Sequence, residues 1–408
     1  MCAHLGGNFS KLWAASAVSN LGDGVTMAAG PLLVASITTA PAAVAGAAFA
    51  QQLPWLLFAL VSGAFVDRLD RRRLIVAVNL CRGLALAVLA FAVVLSAVSV
   101  PVVYVVFFLL GTGETLVDTA AGALLPAIVP ASGLARANAR LYATFTIGNQ
   151  FVAKPLGAWL FGVSAAAPFG FDAVTFLLAA LLVARIRVAP APAPARSSLR
   201  EEVAEGLRWL WRHRLLRTLA MSMGIGNVAF GAAFAVFVLY CRARLGLSAV
   251  GFGFLLTAFA VGGLVGTALV ERLTRLVGAS VLLRVGLFVE AATHAVLGFT
   301  TSGLVASAVL VGFGAHAMVW GITVVSLRQR VVPAHLLGRV GGVYSLLDLG
   351  GAALGTLLGG LLASMWGLAA PLRCAAAVML VVALLAWRPL RGAATREAVA
   401  GSGVPGRP

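Results

Sequence analysis

Gly63-Ala64-Phe65-Val66-Asp67-Arg68-Leu69-Asp70-Arg71-Arg72-Arg73 is a densely charged stretch set between two long apolar runs. Residues 42–66 carry no Asp, Glu, Lys or Arg, and residues 74–96 carry only Arg82. Each run exceeds the roughly 20 residues that a transmembrane helix needs. The stretch therefore reads as a basic turn between two membrane spans. The same reading extends outward to twelve expected spans, at 12–36, 42–66, 74–96, 101–126, 140–163, 167–185, 216–241, 248–270, 279–300, 303–326, 338–363 and 367–387. The 408 residues have a mean hydropathy of +1.01, and only 11% are charged. A soluble domain has about 25% charged residues, so a soluble globular protein is excluded. A composition of 61% apolar residues excludes disorder as well.

The net charge of +17 does not point to nucleic acid, because the cations are distributed by topology. Arg242 and Arg244 fall in an external loop, and Arg82, Lys154, Arg284 and Arg373 fall inside spans. Every other Lys and Arg falls in loops or tails on one side, which by the positive-inside rule is the cytoplasm. Both termini are expected there. Arg used in place of Lys, with abundant Ala, fits a GC-rich bacterial genome, and the expected location is the bacterial inner membrane. Cys2, Cys81, Cys241 and Cys374 form no C-x-x-C pair, so neither a metal site nor a disulfide framework is indicated.

The spans divide into an N-terminal six-helix half (1–186), a linker (187–214), a C-terminal six-helix half (215–388) and a cytoplasmic tail (389–408). The linker starts with an extended Pro-Ala tract at 189–195. An amphipathic stretch from Ser198 to His213 follows, expected to lie on the inner leaflet with Trp209 or Trp211 as its anchor. The halves resemble each other. Val129-Pro130…Arg136 matches Val332-Pro333…Arg339. Tyr142 and Tyr344, Gly157 and Gly359, and Arg82 and Arg284 are each 202 residues apart, and Asp67-Arg68 precedes Glu271-Arg272 by 204. One offset near half the chain length points to a duplicated six-helix unit.

Gly63, Asp67, Arg68, Arg71 and Arg72 together resemble the G-x-x-x-D-R-x-x-R-R loop of the major facilitator superfamily, in the cytoplasmic loop where that family carries it. The resemblance implies an all-α integral membrane fold of two pseudo-symmetric six-helix halves, and a gate latched by this cluster. Ser19-Asn20-Leu21-Gly22-Asp23, Leu125-Pro126 with Val129-Pro130…Leu134-Ala135-Arg136-Ala137-Asn138, and Pro168-Phe169 with Asp172-Ala173 resemble the twelve-helix drug-efflux branch. That branch includes macrolide and enterobactin-type siderophore exporters. It implies proton-coupled export of amphipathic compounds by a monomer. Span 5 departs from the branch, with Ala153-Lys154-Pro155-Leu156-Gly157 where a Gly-Pro-x-x-Gly-like turn is usual.

Ionisable groups inside the bilayer cost at least about 2.5–3.5 kcal/mol each, so each is a candidate for function and needs a partner. Asp23 lies on a polar stripe with Ser16, Ser19, Asn20, Thr26 and Met27, facing a cavity or capping a kink at Gly22-Asp23-Gly24. Glu114 and Asp118 are i,i+4 on one helix face, where like charges repel and sharing a single proton relieves them. Arg82 and Asp118 form a structural pair candidate on neighbouring spans. Lys154 is read as a partner for Glu114. In the C-terminal half, His316 and Asp348 join the coupling or substrate candidates, His316 alternatively as a hydrogen-bonded spacer. Glu290 is expected to pair with His294 or Arg284.

No nucleotide motor is encoded, because the two lysines, Lys11 and Lys154, precede Leu and Pro rather than Ser or Thr. No H-E-x-x-H or G-x-S-x-G occurs either, so neither an enzyme nor a cofactor is expected. The expected activity is secondary transport of a small molecule driven by protons. A nutrient importer of the same fold and a non-transporting membrane scaffold or sensor are the alternatives.

Overall fold

The computed structural model describes residues 5–66, 69–187, 199–333 and 336–401. Asp67 and Arg68 of the basic turn and the Pro-Ala tract lie outside the described residues. The described chain is helical, in the order α1 (Gly7–Ile37), α2 (Pro41–Val66), α3 (Arg71–Val94), α4 (Val100–Ile128), a 3-10 turn (Ala131–Gly133), α5 (Leu134–Phe145), a π-helical segment (Thr146–Ala153), α6 (Lys154–Val163) and α7 (Ala167–Ala184). Then follow α8 (Leu199–Arg212), α9 (Arg214–Ala235), α10 (Phe237–Ala243), α11 (Ala249–Val277), α12 (Ala279–Phe299), α13 (Gly303–Val331), α14 (Leu337–Trp366) and α15 (Ala370–Gly401). Among the described residues, nine helices are long and apolar enough to cross a membrane. The expected spans outside those nine are α1, whose polar stripe dilutes its hydropathy, α2, and the broken run from α5 to α6.

Three spans differ from their expected shape. Span 5 is not one helix: α5 widens into the π-helical segment before α6. Pro155, near the start of α6, has no N–H for the carbonyl of Phe151 and its ring would clash there, which a wider turn relieves. Span 7 breaks at Val236 between α9 and α10. Span 12 does not stop at 387, because α15 continues through Pro389 to Gly401 inside the expected tail.

The chain divides into two compact units. The first comprises Met1–Arg196 with Cys241–Thr257, and the second Ser197–Tyr240 with Ala258–Pro408. The segment 241–257 therefore joins the first unit, where Arg242 donates to the Ala35 carbonyl at 3.1 Å. In the first unit α2 packs on α4, and α1 and α3 pack on α7. In the second, α9 packs on α14 and α12 on α15. The repeated glycines do the same work in each unit. A Cβ on Gly157 would lie 2.4 Å from the Val25 carbonyl of α1, and one on Gly359 2.2 Å from the Ala232 carbonyl of α9. Such close crossings are how helices associate without a hydrophobic driving force.

The amphipathic α8 docks on its own unit. Leu210 is buried in that unit's core with Trp209 against it, and Gly206 lies under the Arg339 backbone of α14. Glu205 accepts a hydrogen bond from Arg339. Trp209 thus faces protein, and Trp211 is the exposed one of the expected pair of anchors.

Candidate functional site

A cavity of about 450 Å³ opens in the first unit, lined from α1, α3, α4, α5 and α7. Its polar wall is Ser16, Ser19, Asn20 and Asp23 of α1, Asn79 and Arg82 of α3, and Glu114 and Asp118 of α4. Arg82 Nη2 donates to Asp23 Oδ1 at 2.7 Å, and the two side chains are 4% and 21% exposed. The guanidinium lies over the Phe176 ring of α7, 4.1 Å from its centroid. Arg82 reaches α1 because α4 makes room for it: a Cβ on Gly113 would stand 2.6 Å from Arg82 Cδ. Arg82 Nε is buried and has no hydrogen-bond partner.

Glu114 is half-buried and Asp118 is exposed to the cavity. Neither makes an ion pair or side-chain hydrogen bond among the described residues. Thr112 and Thr115, on the same helix, spend their hydroxyls on their own i−4 carbonyls. The cavity is thus an acidic chamber in which one buried cation neutralises one of three carboxylates. Groups so placed can exchange protons or hold a cation.

Behind the Asp23–Arg82 pair lies a fourth carboxyl group. Asp172 of α7 is fully buried. Thr26 donates to its Oδ2 at 2.6 Å, and the Thr175 hydroxyl lies 2.9 Å from its Oδ1. A Cβ on Gly22 would fall 2.0 Å from Asp172 Oδ1, so α1 approaches α7 here only because that residue is glycine. On the other flank of α1, Asn149 of the π-helical segment donates to the Asn20 carbonyl at 3.1 Å.

The basic turn's described residues bind helix ends. Asp70 caps α3 by accepting from the Arg73 N–H at 3.0 Å. Arg71 donates to the Ala123 carbonyl of α4 at 3.3 Å, and Arg72 to the Ile186 carbonyl beyond α7 at 2.9 Å. Lys11 and Asn8 reach the Arg185 and Arg187 carbonyls, each at 2.8 Å. Cations gathered at a helix C-terminus are favoured by the helix dipole.

The second unit carries a different cluster. Glu290 Oε2 of α12 lies 3.9 Å from His316 Nε2 of α13. His294 Nδ1 donates to the Glu290 backbone carbonyl at 2.9 Å. The Phe313 ring stands between the imidazoles, edge-on to His294 and stacked on His316, and Phe230 and Phe259 extend the aromatic wall. Asp348 lies on α14, just before Gly351, which packs against Asn227 of α9. Glu271, Arg275 and Arg330 line a smaller cavity of about 350 Å³.

Residues 5–401 match the model of a family described as transmembrane secretion effectors, within the major facilitator superfamily. The chain belongs to this family. This transporter is 29% identical over 393 residues to the multidrug efflux pump Tap of Mycolicibacterium fortuitum, covering 91% of this chain and 93% of that one. It is 27% identical over 321 residues to the enterobactin exporter EntS of Salmonella choleraesuis, covering 75% and 74%. Its fold is that of major facilitator structures. A bacterial homologue of the iron transporter ferroportin superposes with a TM-score of 0.74 at 17% identity, over 95% of this chain and 98% of that one. A bacterial homologue of the lysosomal transporter Spinster gives 0.75 at 14% identity, over 94% and 96%. The chain is a multi-pass membrane transporter and not an enzyme.

The structure brings Asp23, Glu114 and Asp118 to one cavity, whereas the polar stripe and the i,i+4 spacing mark only the two separate faces they lie on. Arg82 pairs with Asp23 and not with Asp118, because its side chain crosses Gly113 toward α1. Lys154 starts α6 and is not among the residues lining this transporter's acidic cavity. The Glu290 carboxylate faces His316 and not His294 or Arg284, and Arg284 instead stacks over Trp387 at 4.6 Å. Asp172 was visible only as part of a family signature. Its isolation among apolar residues in span 6 was the available signal.

Proposed function

We propose that this transporter exports small amphipathic compounds, such as antibiotics or related metabolites, in exchange for protons. It works by alternating access as a monomer in a bacterial inner membrane, with both termini in the cytoplasm. The observation that carries the reading is the acidic cavity of the first unit, where Arg82 is bound to Asp23 with Glu114 and Asp118 beside it. A proton arriving on Asp23 removes the charge that holds Arg82. The freed guanidinium then repartners, and the helices it ties shift with it. Glu114 and Asp118 take up or attract the counter-moving charge. The Asp67–Arg68 turn with Gly63, Arg71 and Arg72 gates the cytoplasmic end. Lys154, His316 and Asp348 complete the polar contacts available to substrate or proton. Kinship with an efflux pump and a siderophore exporter supports the outward direction.

The test is proton flux in inverted vesicles carrying an imposed pH gradient, screened with drug-like cations and neutral macrocycles. At least one compound is expected to dissipate the gradient with the unmodified protein and not with Glu114→Gln. Movement of compounds without proton flux in either protein would make the chain a facilitator.

A further inference from the structure

Asp172 is a fully buried ionisable group that the proposed cycle leaves unused. Its partners are two hydroxyls, Thr26 and Thr175. A hydroxyl has one proton to give, and the Thr175 hydroxyl also lies 2.8 Å from the Asp172 backbone carbonyl. If Thr175 donates to that carbonyl, its lone pairs are free to accept from a proton on Asp172 Oδ1. The hydrogen bonds thus suit a neutral acid, and a buried carboxylate without a cationic partner is costly. The charged groups acting on Asp172 are Asp23 from α1 and Arg82 from α3. Lys154 belongs to α6, the remaining helix in contact with α7. Three placements tie Asp172 to the Asp23–Arg82 pair. Its carboxyl presses on Gly22, the residue before Asp23. Phe176, one turn along α7, carries the Arg82 guanidinium. Arg82 keeps a buried, unused Nε–H.

We propose that Asp172 is a coupling residue of this transporter: an inner proton store that trades its proton with Asp23 and takes Arg82 as partner in exchange. This rests on the proton-coupled reading above. In the step, the proton leaves the Asp172 carboxyl and ends on the Asp23 carboxylate. The Arg82–Asp23 hydrogen bond breaks, and one from Arg82 to the ionised Asp172 forms. The three groups hold one proton on their carboxyls, and no net charge, before and after. Burial therefore favours exchange within the cluster over loss of a proton from it. Asp23, partly exposed on the cavity, is the member that trades protons with water. The position of one proton would then decide whether α3 is tied to α1 or to α7.

The experiment uses the full chain reconstituted in vesicles, with Asp172→Asn, a neutral isostere able to bond both threonines. The infrared spectrum of the unmodified protein should show a protonated-carboxyl C=O band that disappears in Asp172→Asn. Transport driven by a pH gradient should fall by about tenfold or more, within the range of coupling free energies, while counterflow without a gradient persists. Gradient-driven transport by Asp172→Asn with an unchanged pH profile would overturn the proposal and leave Asp172 as a helix-packing acid. Should Asp172→Asn fail to insert, Asp23→Asn decides. The carboxyl band should respond to external pH in the unmodified protein and stop responding in Asp23→Asn, and an equal response in both overturns the exchange. If the unmodified protein moves compounds with no proton dependence, the proton-coupled reading fails. The band and its dependence on Asp23 then report on the exchange alone.

Discussion

Arg82 and Arg284 occupy matching places in the two units, 202 residues apart, and are held in different ways. Each stacks on an aromatic ring of its unit's last long helix, Phe176 for Arg82 and Trp387 for Arg284. Of the two, Arg82 pairs with a carboxylate, Asp23, whereas Arg284 Nε turns to the Ser280 carbonyl of its own helix at 3.1 Å. By the same offset His316 is the sequence counterpart of Glu114. The first unit therefore gathers acids around one cation, and the second gathers imidazoles and phenyl rings around one acid. The cation–ring scaffold and the glycine crossings, which helix packing requires, recur in both units. The ionic groups differ between the units.

The comparison breaks most sharply at the arginines. Arg82→Met strands the half-buried Asp23 and should cost up to about 3–5 kcal/mol, read as a large drop in the thermal midpoint of the solubilised protein. Arg284→Met loses a cation–ring contact worth about 0.5–2 kcal/mol. Equal drops would mean that the two scaffolds are energetically alike.

The glycines should separate the units next. Gly22→Ala drives a methyl to 2.0 Å from Asp172 Oδ1 and Thr175 Oγ1. Overpacking of this kind costs about 1–3 kcal/mol, and export should fall with it. Gly226→Ala in the second unit meets only the end of the Glu290 side chain, at 3.0 Å, and should insert and transport nearly as the unmodified protein does.

A finer cut distinguishes coupling from recognition. Glu114→Gln should abolish gradient-driven export, whereas His316→Gln should change the half-saturating substrate concentration by a factor within about 5–150 and keep proton dependence. The reverse pattern in the flux assay would exchange the roles of the units.

The smallest effect belongs to the linker helix. Glu205→Gln frees Arg339 from α8 at a cost under about 1 kcal/mol, because the pair is partly solvated. Protease sensitivity near α8 should rise while transport holds.

Hydropathy located the turns well: α1 ends at Ile37 and α2 starts at Pro41, α3 ends at Val94 and α4 starts at Val100. Span 5 reads as one continuous span in the sequence, because a proline such as Pro155 announces a lost hydrogen bond but not the π-helical turn that absorbs it. The acidic cavity was half legible. The stripe around Asp23 and the pair Glu114–Asp118 marked polar faces, but a face does not name the helix opposite it.

Local composition by itself determined that this chain lives in a membrane and where most of the turns between its helices fall. Those properties are written in runs of neighbouring residues, because transfer to the bilayer depends on each segment's own content. Tertiary structure alone decided that Arg82 binds Asp23, that Gly22 and Gly113 open the way, and that Asp172 lies sealed behind them. A buried charge must find a partner, but which one depends on helices that are far apart in sequence and brought within contact only by packing.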